Sequence, residues 1–112
     1  MFLVVWMFEA KAGAEQDFIR AYGADGDWAQ LFRRSTGYVD TALARDSEIA
    51  RRFVTIDRWA SRQAFEDFKA SAKADYDALD ARCQQLTRSE RLIGHFETLH
   101  DSNWQADSVF PP

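Results

Sequence analysis

The chain has 112 residues, 46% hydrophobic, 14% aromatic and 29% charged, a composition that fits one globular domain and excludes a disordered one. Fourteen Lys and Arg against 18 Asp and Glu give a formal charge of −4, so nothing here suits nucleic acid or an anionic membrane surface. The single cysteine, Cys83, excludes an intramolecular disulfide and a cysteine metal cluster, and two histidines, His95 and His100, are too few for an all-histidine metal site.

The first predicted element is a strand over about Phe2 to Ala10. Phe2, Val4, Trp6 and Phe8 share one face and Leu3, Val5 and Met7 the other. Both faces are apolar, so each needs a cover. The run has no basic stretch before it and Glu9 and Lys11 directly after it. It is therefore read as a strand and not as a leader or a membrane span, and the expectation is a soluble cytoplasmic protein.

A helical stretch follows over about Ala14 to Arg34, with Phe18, Tyr22, Trp28, Leu31 and Phe32 on its apolar face. Gly23 and Gly26 divide it into two pieces. Strands are predicted at about Tyr38 to Arg45 and Arg51 to Trp59, joined as a hairpin through the polar segment Asp46–Ala50. On the third strand Val54 and Ile56 face one side, Phe53 and Thr55 the other.

Ser61 is the expected N-cap of a second long helix. Phe65, Phe68, Ala72, Tyr76, Leu79, Cys83 and Leu86 recur at steps of three or four, a buried stripe of about six turns with room for a bend at Ser71-Ala72. A last strand over about Arg91 to Leu99 sets Leu92, Gly94 and Phe96 against Ile93, His95 and Glu97 by simple alternation. Residues 1–100 are read as the folded domain and residues 101–112, with Trp104, Val109 and Phe110, as a tail beginning near His100 and Asp101.

The order β-α-β-β-α-β predicts an α+β, ferredoxin-like fold: a four-stranded antiparallel sheet with both helices on one face. The helices cannot cover the second apolar face. A second copy of the sheet packed against it makes a homodimer, and the alternative is a monomer whose tail covers that face.

Four stretches carry a family resemblance: the apolar first strand running into Ala12-Gly13-Ala14-Glu15; Gly37-Tyr38-Val39; Phe53-Val-Thr-Ile-Asp-Arg-Trp59 running into Ser61-Arg-Gln-Ala-Phe-Glu-Asp-Phe68; and Leu92-Ile-Gly-His-Phe-Glu97. In order and spacing the chain resembles the antibiotic biosynthesis monooxygenase family of the dimeric α/β-barrel superfamily, over about Phe2 to Leu99. The resemblance implies a dimer with a pocket between sheet and helices in each subunit. It also implies one of several chemistries: cofactor-free oxygenation of aromatic polyketides, quinol oxidation, or heme degradation. The heme-degrading branch is similar in using an Asn on the first strand and an iron-ligating His on the second helix. Those positions fall on Trp6 and about Ala78 here, and neither side chain ligates iron.

The reading is therefore a monooxygenase acting without metal, flavin or other cofactor on an aromatic or quinol-type small molecule, or, in another class, a non-catalytic binding or accessory dimer of the same fold. Trp6, Tyr22, Trp28, Phe32 and Phe65 are the candidate walls of such a site, each also a candidate for plain core. His95 is the candidate base, since an imidazole exchanges protons near neutrality; if Leu92, Gly94 and Phe96 face the helices, it instead points into the dimer interface. Tyr76 is the candidate hydroxyl partner for an oxygenated ring. Arg58 is a candidate for orienting a polar substrate atom, as is Asp57 on the opposite face, with an interstrand ion pair as the alternative for both. Cys83 is expected to be a buried, inert thiol.

Overall fold

The computed structural model describes residues 1–99. The predicted tail, including His100, Asp101, Trp104, Val109 and Phe110, lies outside the described residues. The elements run β1 (Phe2–Ala10), α1 (Glu15–Tyr22), α2 (Asp27–Phe32), β2 (Tyr38–Arg45), β3 (Arg52–Trp59), α3 (Arg62–Ser71), α4 (Lys73–Cys83) and β4 (Thr87–Glu97), with a 3-10 turn over Gln84–Leu86 before the last strand. The four strands form one antiparallel sheet in the order β2-β3-β1-β4. This is the expected ferredoxin-like α+β architecture.

Local chemistry accounts for most boundaries. Gly13 makes the turn from β1 to α1 with φ +83°, a region open to glycine without steric penalty. Ser61 caps α3 by accepting a hydrogen bond at Oγ from the Ala64 N–H at 3.1 Å. Asp46 turns the β2-β3 hairpin: its Oδ1 accepts from the Glu48 and Ile49 N–H groups at 2.8 and 3.0 Å, and Oδ2 from Arg52 Nε at 2.9 Å. Those donors hold its carboxyl down at about 2. The long helical stripe is divided at Ala72, where the backbone leaves the helical region between α3 and α4. The last strand begins at Thr87, four residues before the expected start.

Cross-strand register sorts the side chains into rows. On the helix side, Tyr38, Trp59, Phe2 and Glu97 stand in one row and Thr41, Asp57, Val4 and His95 in the next. Leu43, Thr55, Trp6 and Leu92 follow, then Arg45, Phe53, Phe8 and Glu90. The core lies between these rows and the helices: Phe2, Val4, Phe8, Phe18, Phe32, Phe53, Trp59 and Phe68 are all buried.

The register shifts at three places: one lies at the start of β4, where Arg88 is extra between Ser89 opposite Glu9 and Thr87 opposite Ala10, and the other two shape the cavity. Along β4 the pairing steps from Gly94 opposite Val5 to Leu92 opposite Trp6, leaving Ile93 as an extra residue. Along β2 it steps from Tyr38 to Asp40, leaving Val39 as the extra one. Each is a bulge, and each puts two residues three apart on the same face.

The β4 bulge corrects the predicted facing of the last strand. Leu92 and His95 face the helices together, while Gly94 and Phe96 face the other way with Leu3, Val5, Met7, Val54 and Ile56. Simple alternation fails because it carries no signal for an inserted residue.

Candidate functional site

Between the sheet and the helices lies a cavity of about 180 Å³. Its deep walls are aromatic. Trp28 meets Tyr76 edge-on at 4.9 Å between ring centroids and lies 6.1 Å from Tyr22 and 5.8 Å from Phe32. Phe8 sits 4.7 Å from Tyr22 and 6.1 Å from Trp6. Tyr22 of α1, Trp28 and Phe32 of α2, Phe65 of α3 and Tyr76 of α4 supply the helix side of this box, and the rows of the sheet supply its floor.

Polar groups enter from three directions. Asp57 and its row neighbour Thr41 rise from the floor; Glu90 and His95 stand on the edge strand β4; Lys69 comes from α3. Asp57, Phe8, Tyr22, Trp28 and Phe32 are buried, whereas Glu90, Leu92, His95 and Lys69 are exposed. The cavity is therefore closed at the Asp57 end and open along β4.

Asp57 is the least ordinary of these groups. Its Oδ1 accepts from the Thr41 hydroxyl at 2.6 Å. Thr41 Oγ1 in turn lies 2.7 Å from the Tyr38 hydroxyl, which donates to it while the Thr41 proton is committed to Asp57. The Val39 bulge places Tyr38 and Thr41 on one face and so makes this chain of hydroxyls. No cation pairs with Asp57 among the described residues. Burial pushes its carboxyl up to about 7, against the opposing pull of the Thr41 hydrogen bond.

His95 lies with its ring 5.2 Å from that of Phe2 and 5.7 Å from that of Phe65. Partial burial, then the cations of Arg62 and Lys69, hold its imidazole below the ordinary value, so it is a neutral acceptor at pH 7. Burial raises the Tyr76 phenol to about 12, assisted by the surrounding carboxylates of Asp80, Asp57 and Glu90. It is a hydrogen-bond donor and not a base. Lys69 Nζ stands 4.9 Å from the Tyr76 ring and 5.6 Å from the Phe65 ring, a cation resting on the aromatic wall. Burial also raises Glu90.

Trp6, Tyr22, Trp28, Phe32, Phe65, Tyr76 and His95 are thus brought together around one cavity. Arg58 is not among them. Its guanidinium grips Asp40 through Nε and Nη2, both at 2.6 Å, on the opposite face of the sheet. This is the interstrand ion pair named as the alternative. Alternation along β3 sends Asp57 inward with Phe53 and Thr55, and Arg58 outward with Val54 and Ile56.

Sequence reasoning left out Thr41, Glu90 and Lys69. Thr41 and Glu90 carry no motif, and only the register across the sheet brings them to the cavity. Cys83 is buried, and burial raises its thiol further.

The residues do not fit a heme-degrading site. Position 6 is an indole on the cavity floor, and Ala78 lines a separate surface groove with Asp27, Arg34 and Asp75. No group of three or more His, Cys, Asp and Glu is placed to hold a metal ion among the described residues. No described helix is long and apolar enough to cross a membrane.

The fold recurs in solved structures. SnoaB from Streptomyces nogalater, described as a cofactor-independent oxygenase, superposes with a TM-score of 0.73 at 21% identity, covering 90% of this chain and 95% of that one. A Deinococcus radiodurans protein assigned to the antibiotic biosynthesis monooxygenases gives 0.71 at 14% identity, covering 94% and 99%. Rv0793 from Mycobacterium tuberculosis gives 0.68 at 17% identity, covering 90% and 97%. At these identities the likeness establishes the fold alone, and no curated protein matches the sequence. The family model described as antibiotic biosynthesis monooxygenase matches residues 1–78. That span runs from β1 through most of α4 and carries the cavity floor, Asp57 and the aromatic walls, so the chain belongs to the antibiotic biosynthesis monooxygenase family.

Proposed function

We propose that this cavity is the active site of an oxygenase that works on a small phenol or quinol and draws its electrons from the substrate, without a bound cofactor. The observation that carries the reading is a buried carboxyl, Asp57, without a cation partner among the described residues, at the closed end of an aromatic box of about 180 Å³. An apolar cavity of roughly 150 Å³ holds benzene, so this space suits one substituted ring.

The chemistry needs a base, a dry ring slot and a donor for developing negative charge. Asp57 in its ionised form, or neutral His95, takes the phenolic proton. Trp6, Tyr22, Trp28, Phe32 and Phe65 hold the ring and exclude water. The Tyr76 hydroxyl donates to oxygen as charge builds there. The phenolate passes electrons to dioxygen and a ring carbon bonds to oxygen. For a simple 1,4-quinol the reaction balances as quinol plus dioxygen giving hydroxyquinone plus water. One oxygen atom enters the ring in place of a ring hydrogen, the other leaves as water, and all four electrons come from the quinol. The working unit in this proposal is a homodimer, with one cavity in each subunit.

Oxygen consumption with 1,4-dihydroxybenzenes tests the reading. Protein-dependent uptake, one dioxygen per quinol and a hydroxyquinone product are expected. His95→Ala and Tyr76→Phe should lower the rate. Uptake no faster than spontaneous oxidation overturns the catalytic reading and leaves a binding protein.

A further inference from the structure

We infer that Asp57 and His95 form a two-point gauge that selects single rings carrying oxygen at opposite ends. The inference rests on the proposed use of this cavity for an oxygenated ring. Asp57 and His95 both pair with Val4, from the two strands that flank β1. They stand in one row on one face, with buried Val4 between them as the floor. Two strand spacings separate their backbones, about 10 Å.

The two oxygens of a 1,4-dihydroxybenzene are roughly 5.5 Å apart, and a hydrogen bond of about 2.8 Å at each end extends the span to roughly 11 Å. A ring laid over Val4 along the row therefore reaches both groups. Its inner hydroxyl meets Asp57 at the closed end, and its outer hydroxyl meets His95 at the open end. In the 1,3 isomer the two C–O bonds diverge instead of opposing each other. In the 1,2 isomer both oxygens lie at one end of the ring.

Both ends are held before any ligand arrives. Thr41 fixes Asp57 Oδ1 at 2.6 Å and Tyr38 fixes Thr41 at 2.7 Å, which leaves Asp57 Oδ2 for the ligand. His95 rests against the rings of Phe2 and Phe65. Groups held this way discriminate by geometry, because a misplaced oxygen leaves one of them without its hydrogen bond.

Anaerobic calorimetric titration of the unchanged protein with hydroquinone, resorcinol, catechol and 4-methylphenol tests the gauge. Hydroquinone should bind at least tenfold more tightly than the other three. His95→Leu, a change on the exposed edge strand, should bring hydroquinone to within threefold of 4-methylphenol. The His95 ring signals in NMR should move with hydroquinone and stay in place with 4-methylphenol. Affinities within threefold of one another, binding by none of the four, or a para preference that survives His95→Leu overturns the gauge. Selective binding without oxygen uptake retires the oxygenase reading alone, whereas uptake without para selectivity retires the gauge alone.

Discussion

A carboxyl withdrawn from water without a cation to compensate it prefers its proton, and Asp57 is in that position. Its folded value of about 7 lies above the ordinary 3.8. Its stabilising contribution is therefore complete below 3.8 and lost as pH rises through about 7. Asp57→Asn removes that dependence. Chemical denaturation at pH 5 and pH 8 should show the variant gaining on the parent protein at pH 8 by a few kcal/mol, on the order expected for such a shift. A constant difference at the two pH values would mean that Asp57 does not titrate in this range. If Asp57 is the base, quinol oxidation should rise with pH through about 7. Thr41→Val removes a donor that favours the ionised form, so it should move that rise to higher pH, and Asp57→Asn should abolish it. At this scale the sequence was partly legible. The aromatic walls followed from periodicity, and alternation along β3 put Asp57 and Arg58 on opposite faces without saying which of the two faces the helices. The chemistry of Asp57 did not follow, because Thr41, Val4 and His95 become its row neighbours only through long-range pairing.

At the scale of elements, the site depends on departures from regular structure. Without the bulge at Ile93, regular alternation would put Leu92 and His95 on opposite faces of β4, and without the bulge at Val39 it would turn Tyr38 away from Thr41. The element order, the divided helix at Gly23 and Gly26 and the Ser61 cap all rest on local chemistry and were readable in advance. The bulges were not, because they are set by what the neighbouring strand demands. The contact between β2 and α3 is equally tight. A Cβ at Gly37 would fall on the Cβ of Ala64 in the first turn of α3, and the Gly37 carbonyl accepts from the Ala60 N–H at 2.7 Å. Gly37→Ala should push away the helix that carries Phe65 and Lys69, at a cost of about 1–3 kcal/mol. The melting temperature should fall by roughly 4–8 °C for each kcal/mol. Calorimetry showing an unchanged or raised transition would mean that α3 shifts freely at its start.

At the scale of the whole molecule, the sheet has one face filled by helices and another that no described element covers. That second face carries Leu3, Val5 and Met7 on β1, Val54 and Ile56 on β3 and Phe96 on β4, and Phe96 is 46% exposed. Apolar patches of this continuity are rarely left to water. A second copy of the sheet packed here about a two-fold axis would bury the same side chains on both partners. The Arg58–Asp40 pair lies on this face, and it leaves the guanidinium charge compensated next to the apolar centre. Sedimentation at micromolar concentration should therefore give a species near twice 12.9 kDa. Ile56→Arg tests the surface directly. Ile56 lies on the outward face of an interior strand, so the substitution leaves the helix-side core intact and places two like charges across the two-fold axis. It should convert the dimer to a folded monomer with an unchanged far-UV spectrum. A monomer from the parent chain, or a dimer that tolerates Ile56→Arg, would show that some other surface meets the partner.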